Sequence, residues 1–243
     1  MGRGDVGDVH IRTKTLDHRD LLIWKFAGVD LSEVFTHDDI QPLGSIGKVV
    51  TSLIVPVDNP FNSATELVAY AKERPGELRW ANPGNGSLHT LSGNLFLQGN
   101  DITAQGVPFK GGSKTRNAVA GGQVDFAFME ISLTEGFSEK LKALGVTDSE
   151  RDAIYKDVPT FGQQGLAQMG ISSPLIIWGQ KDLPDGVTAK LVEAIAAAAT
   201  SEGYGKMIKK SGVATFYSTP DEALALVREL DEIVTPITAE LFK

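Results

Sequence analysis

LRWANPGNGSLHTLSGNLFLQG (78–99), followed by GVPFKGG (106–112) and SKTRNAVAGGQVDFAF (113–128), is the stretch whose reading decides the fold. LRWA, GVP and QVDFAF read as short strands, and the segments between them as two helices. Leu88, Leu91 and Leu95 recur at helical spacing and give the first helix one apolar face. Consecutive strands joined through helices lie parallel, because a right-handed crossover returns the chain to the same sheet edge. The loops at 82–86 and 109–112 then open at one carboxyl edge. Each leads into a helix start, expected at Ser87 and at Ser113. Unpaired N–H groups and a partial positive charge at such starts favour an anion. Two of them on one rim predict a receptor for a small carboxylate.

Composition narrows the alternatives. With 243 residues the chain is long enough for one large domain or two small lobes. The net charge of −8 argues against a nucleic-acid partner, which needs a basic face. It does not oppose an anionic ligand, since a few oriented N–H groups act at short range while distant surface charge is screened. There are no cysteines, so thiol catalysis and cysteine-ligated metal are excluded. No apolar run approaches the ~18 residues of a membrane span. MGRGDVGDVH (1–10) lacks the apolar core of a signal peptide, so no export signal is expected within this chain.

Outward from the central stretch, LLIW (21–24), VVTSLIV (49–55), LKALGVT (141–147) and LIIW (175–178) read as strands. Ser63 and Glu66 form a capping box at the start of a helix that Pro75-Gly76 ends. DVPTFGQQG (157–165) reads as a turn into a short helix. A helix at 188–199 should turn Leu191, Val192 and Ile195 inward. A last helix starts at Thr219 with Pro220 in first position and Glu222 completing a second capping box. Its inward face is Ala223, Leu226, Val227 and Leu230. Trp24, Trp80 and Trp178 lie beside apolar runs and are expected in the core.

Particular residues carry the proposed chemistry. Gly84 and Gly86 allow backbone to approach a ligand, and Ser87 either caps its helix or turns to a ligand oxygen. Asn85 lies between those glycines. Lys110, Gly111, Gly112 and Ser113 repeat the arrangement from the next crossover. Asp125 is a candidate partner for a basic residue or a ligand ammonium. GGSKT (111–115) is not a phosphate loop, because Ser113 and Pro108 stand where that motif needs glycine. Ser87 and His89 suggest a rival Ser/His hydrolase or transferase, but two residues apart on a helix they face different ways. The nucleophile-elbow glycines are also absent, with Asn85 and His89 in their places. His89 is expected to be hydrogen-bonded within its own lobe. His10, His18, His37 and His89 are too scattered to hold a metal, and no cofactor is expected.

ATELVAYAKERPGELRWANPGNGSLHTLSGNLF (64–96), GVPFKGG (106–112), AVAGGQVDFAF (118–128), LKALGVTDSERDAIYKDVPTFGQQG (141–165) and LPDGVTAKLVEAI (183–195) together resemble a known family. It is the extracytoplasmic solute receptors of tripartite tricarboxylate transporters, also called the Bug family, and the resemblance runs from about Asp39 to the end. It implies an α/β, two-lobed, type II periplasmic-binding-protein-like fold with mostly parallel sheets. Residues 54–172 would form the ligand-binding second lobe, and 1–53 with 173–243 the first. The resemblance also implies a carboxylated metabolite held in the interlobe cleft, a membrane permease as partner and a periplasmic location. A sensor or scaffold role on the same fold is the other alternative. Carried over by position, the ligand contacts are Gly84, Gly86, Ser87 and Lys110 to Ser113, with Phe26, Ala27 and Gly28 from the first lobe. The family's opening strand and glycine-rich turn are not visible in residues 1–20. The first lobe is therefore expected to be shortened, and its exposed edge to favour self-association.

Overall fold

The structure is a computed structural model that describes residues 40–84 and 87–241, with side chains to 235. The expected strand at 21–24 and the contacts at Phe26, Ala27 and Gly28 lie outside the described residues, as do Asn85 and Gly86. In chain order the elements are β1 (Ile40–Pro56), α1 (Ala64–Glu73), β2 (Arg79–Asn82), α2 (Leu88–Gly99), β3 (Gln105–Pro108), α3 (Gly112–Ala120) and β4 (Phe126–Glu130). They continue with β5 (Leu141–Val146), β6 (Ser172–Gln180), α4 (Asp185–Ala199), α5 (Glu202–Lys209) and α6 (Pro220–Leu241). Single 3-10 turns at Ile131–Thr134 and Gly162–Gln164 complete the set.

The β2–α2–β3–α3–β4 unit forms as its sequence indicates. β2 pairs in parallel with β3, Asn82 opposite Pro108, and in parallel with β4, Ala81 opposite Ala127. The sheet order is β3-β2-β4-β1-β5, with β6 on the other half of β1. The sheet is mixed rather than mostly parallel, because β1 runs antiparallel to β4, β5 and β6. Parallel pairing is confined to strands joined by helical crossovers, as the topology of those crossovers requires.

β1 is much longer than its apolar core VVTSLIV. Residues through Val50 pair with β6, and from Thr51 onward β1 pairs with β4 and β5. Pro42, Gly44 and Gly47 are locally unfavourable for a strand, and the sequence reading placed none there. The ladder accommodates them through register shifts between Pro42 and Gly44 and between Ser45 and Gly47. Gly44 itself holds φ +134, open to glycine and strained for other residues.

Alternation along the strands sorts two cores onto opposite faces. Leu53, Val55, Trp80, Phe126 and Phe128 face α1 and the Phe96 side of α2, where Phe161 joins them. Ile54, Ala81, Ala127 and Met129 face Ala118 and Val119 of α3. The rings of Phe96 and Phe161 lie 4.7 Å apart and those of Phe96 and Phe128 5.4 Å apart. Each fully buried phenylalanine contributes about 1.5–3 kcal/mol by leaving water. Trp80 lies over Gly93 of α2, where a Cβ would overlap the indole.

Both capping boxes are present. Ser63 Oγ accepts from the Glu66 N–H at 3.1 Å, while the Glu66 carboxylate accepts from Asn62 N–H at 2.7 Å, one residue before the cap. Thr219 N–H and Oγ1 both donate to Glu222 at 2.8 Å, holding that carboxyl below the usual range. α6 lays Ala223 and Val227 on Ile176 of β6, and Leu230 and Val234 on Leu88 and Leu91 of α2. Leu191, Val192 and Ile195 of α4 are only half-buried, and Ala199 is the fully buried residue of that helix.

Candidate functional site

The carboxyl ends of β2 and β3 stand side by side, in register at Asn82 and Pro108. The chain leaves each end in a glycine turn that leads to a helix. These helices flank opposite faces of the sheet, since α2 packs in one core and α3 in the other. Adjacent strands whose loops depart to opposite faces leave a crevice between them, the usual ligand position in an open α/β sheet.

Asn82 shapes the first turn. It is buried, its side-chain oxygen accepts from the Gly84 N–H at 3.0 Å, and its carbonyl accepts from Phe109 N–H at 2.9 Å. Gly84 adopts φ +141. Ser87 is the N-cap of α2: its Oγ accepts from Thr90 N–H at 3.1 Å and lies 3.0 Å from Thr90 Oγ1. Thr90 Oγ1 in turn donates to the Gly84 carbonyl, closing the turn onto the helix.

The second turn is fastened to the first. Gly111 N–H donates to the Pro83 carbonyl at 3.1 Å. Gly111, at φ +88, is the N-cap of α3, so the helix begins at Gly112, one residue before the expected Ser113. No side chain caps it, and its first backbone bond runs from Thr115 N–H to Gly111 O. The N–H groups of Gly112, Ser113 and Lys114 therefore precede the hydrogen-bond ladder and point out along the helix axis at the rim. Lys110 and Ser113 are exposed there, while Gly112 is half-buried against Leu133.

Asp125 does not belong to this rim. It precedes β4, at the amino ends of the strands, about 10 Å from the loops at ~3.3 Å of rise per residue. Its carboxylate accepts from Arg79 N–H at 2.7 Å, so it fastens the start of β2. Asp125 is thus a structural residue of the sheet's far edge rather than the ligand contact expected of it.

His89 is buried, and the partner of its Nδ1 is Thr51, which lies outside the 54–172 lobe expected to supply its hydrogen bond. Its Nδ1 lies 2.9 Å from Thr51 Oγ1 and its Nε2 3.8 Å from Glu130 Oε1. The imidazole is thus turned to β1 and β4 while the Ser87 hydroxyl is turned to Thr90. That arrangement serves helix capping and packing better than proton transfer from Ser87. Thr51, Thr90 and Glu130 are rim residues that sequence reading missed. Thr90 alone carried a signal, standing three residues after a helix-capping serine. Among the described residues no cluster of His, Asp or Glu is arranged to hold a metal.

Comparison with known proteins agrees with this architecture. Residues 32–240 match the family model described as "Tripartite tricarboxylate transporter family receptor". A UPF0065 protein of Bordetella pertussis is 24% identical over 209 residues, covering 85% of this chain and 65% of that protein. The chain spans between about half and two thirds of the length of the curated relatives it matches. Among solved structures, Rpa4515 of R. palustris with adipate superposes with TM-score 0.76 at 21% identity, covering 92% of this chain and 74% of that one. MatC of Rhodopseudomonas palustris with bound malate gives 0.68 at 22% identity, covering 86% and 74%. These likenesses establish a periplasmic-binding-protein-like fold, and the family model covers most of the sequence. The chain belongs to the tripartite tricarboxylate transporter receptor family, the Bug family of solute-binding proteins.

Proposed function

We propose that the protein captures a small carboxylate at the rim formed by the turns after β2 and β3, and delivers it in the periplasm to a tripartite tricarboxylate permease. The observation that carries the reading is the pair of helix starts fastened together by Gly111 and Pro83, with uncapped N–H groups at Gly112, Ser113 and Lys114. A carboxylate accepting several such bonds gains about 1.5–3 kcal/mol from each, because the acceptor is charged. Gly84, Asn85, Gly86, Ser87 and Lys110 to Ser113 are the proposed contacts, joined by Phe26, Ala27 and Gly28 from the first lobe. Bound adipate in Rpa4515 and malate in MatC support a carboxylate as the ligand class.

In this reading the receptor has two lobes, 54–172 and 1–53 with 173–243. The exchange of β1 partners between Val50 and Thr51, together with the start of β6 at Ser172, supports hinge strands at those places. The ligand would favour the closed arrangement through contacts made by both lobes. A thermal-shift screen of mono-, di- and tricarboxylates tests the reading. A true ligand at a hundredfold excess over its Kd should add about 2.7 kcal/mol of stability. Absence of stabilisation by every acid would overturn it.

A further inference from the structure

The rim that the two glycine turns share does not end at β2. β4 runs parallel to β2 with Ala81 opposite Ala127, so Phe128 is level with Asn82. Glu130 stands two residues further on, at the same carboxyl edge. Phe126 and Phe128 face the α2 side of the sheet, and alternation along β4 turns Glu130 to that side as well. Its side chain is 27% exposed, and Oε1 lies 3.8 Å from Nε2 of His89, in the first turn of α2. That separation is longer than a hydrogen bond. A carboxylate offers about four acceptor positions, so a neighbouring imidazole does not exhaust it.

The two ends of the rim therefore differ in polarity. At the α3 end no side chain caps the helix, its first N–H groups point outward, and Lys110 is exposed. At the α2 end Ser87 Oγ already accepts from Thr90 N–H, and Glu130 adds a negative charge beside the helix start. A second ligand carboxylate at that end meets like charge, whereas a cation meets its opposite. We propose that Glu130 selects the far end of the ligand, and that the ligand class is an amino acid with its carboxylate and ammonium at opposite ends of a short chain. This rests on the carboxylate rim proposed above. The carboxylate accepts from the α3 start and the ammonium donates to Glu130, both through charge-assisted hydrogen bonds. β3 and β4 flank β2, so their ends lie two strand spacings of about 4.8 Å apart. With hydrogen bonds of about 2.9 Å at both ends, a chain of about four to six carbons spans that gap.

4-Aminobutyrate, butyrate and succinate are nearly equal in length and share one carboxylate, while their far ends are cationic, neutral and anionic. 6-Aminohexanoate, hexanoate and adipate repeat the series at six carbons. Each acid is titrated by calorimetry into the full chain and into Glu130→Gln. In at least one series the amino acid is expected to bind the unmodified chain at least tenfold more tightly than both companions, a ranking read without the variant. Glu130→Gln should abolish that preference, and the dicarboxylate should bind it no more weakly than the unmodified chain. A dicarboxylate that binds the unmodified chain as tightly as the amino acid would overturn the role of Glu130 and leave the carboxylate rim standing. So would a preference for the amino acid that survives in Glu130→Gln, or an equal loss for all acids, which marks a residue that only supports the fold. Silence from all six acids would overturn the carboxylate rim and this assignment together.

Discussion

Gly111 donates its backbone N–H to the Pro83 carbonyl across 3.1 Å, so the turn after β3 is tied to the turn after β2. Gly111 holds φ +88 and ψ 163, a region that essentially only glycine occupies. A Cβ there meets nothing within 4 Å, so the cost of a side chain is backbone strain rather than collision. Gly111→Ala is expected to lower unfolding stability by about 1–3 kcal/mol and to weaken carboxylate binding. Gly122, at φ +66 beyond the far end of α3 and equally uncrowded, provides the comparison. Gly122→Ala should lose stability without losing affinity in urea unfolding and calorimetry. If both variants bound the acid equally well, the tie between the turns would have no part in recognition.

Ser87 holds the amino end of α2 through Thr90 N–H at 3.1 Å. Removing a capping hydroxyl costs about 1 kcal/mol with alanine and only a few tenths with glycine, which leaves the N–H groups open to water. Ser87→Ala should therefore destabilise more than Ser87→Gly in urea unfolding. Because the hydroxyl is already engaged, carboxylate affinity should fall by less than about tenfold in either variant, within the ~1.4 kcal/mol that a tenfold change represents. The reverse order of stability would remove the capping role.

The central unit was legible because its signals are local. Glycine turns, a capping serine and helical leucine spacing all lie within a few residues of one another, and they marked their elements to within a residue, the second helix starting at Gly112 rather than Ser113. Pairing at a distance was not legible. Nothing in QVDFAF says that Asp125 reaches Arg79 rather than a ligand, since that contact depends on two strands lying parallel in a particular register. Trp80 was expected in the core, but its fit over Gly93 required knowing how α2 crosses β2. The first half of β1 was hidden for the opposite reason. Pro42, Gly44 and Gly47 are locally unfavourable for a strand, and the long ladder with β6 overrides them.

Lys48 and Asp148 tie the β6-paired part of β1 to the segment that follows β5, with 2.6 Å between Nζ and Oδ2. Their exposures differ: the lysine side chain is 24% exposed and the aspartate 8%. Removing the lysine strands a buried carboxylate, whereas removing the negative charge leaves an ammonium able to extend toward water. Lys48→Met should thus cost about 3 kcal/mol, the low end for breaking a buried pair, and more than Asp148→Asn. Guanidinium unfolding of the two variants measures the difference. Equal losses would mean that the pair behaves as a surface contact.

Tyr155 makes stability fall at high pH. Burial, reinforced by the hydrogen bond from its hydroxyl to Glu135 Oε2 at 3.0 Å, pushes its pKa from 10.0 up to about 12. Both causes disfavour the phenolate in the folded chain. Between those two values the unfolded chain has released the phenolic proton and the folded chain has kept it. The unfolded state then binds fewer protons, so raising the pH favours unfolding. Below the ordinary tyrosine pKa the group contributes no slope, and above the folded value the loss is complete. Tyr70 and Tyr204 are also shifted upward, so the test is a comparison of variants rather than one titration. Tyr155→Phe lacks the ionising group, while the other tyrosines titrate equally in both proteins. Urea unfolding at about pH 9 and about pH 11 brackets the lower part of the window. The unmodified chain should lose more stability across that interval than the phenylalanine variant, and parallel losses would show that Tyr155 ionises as readily folded as unfolded.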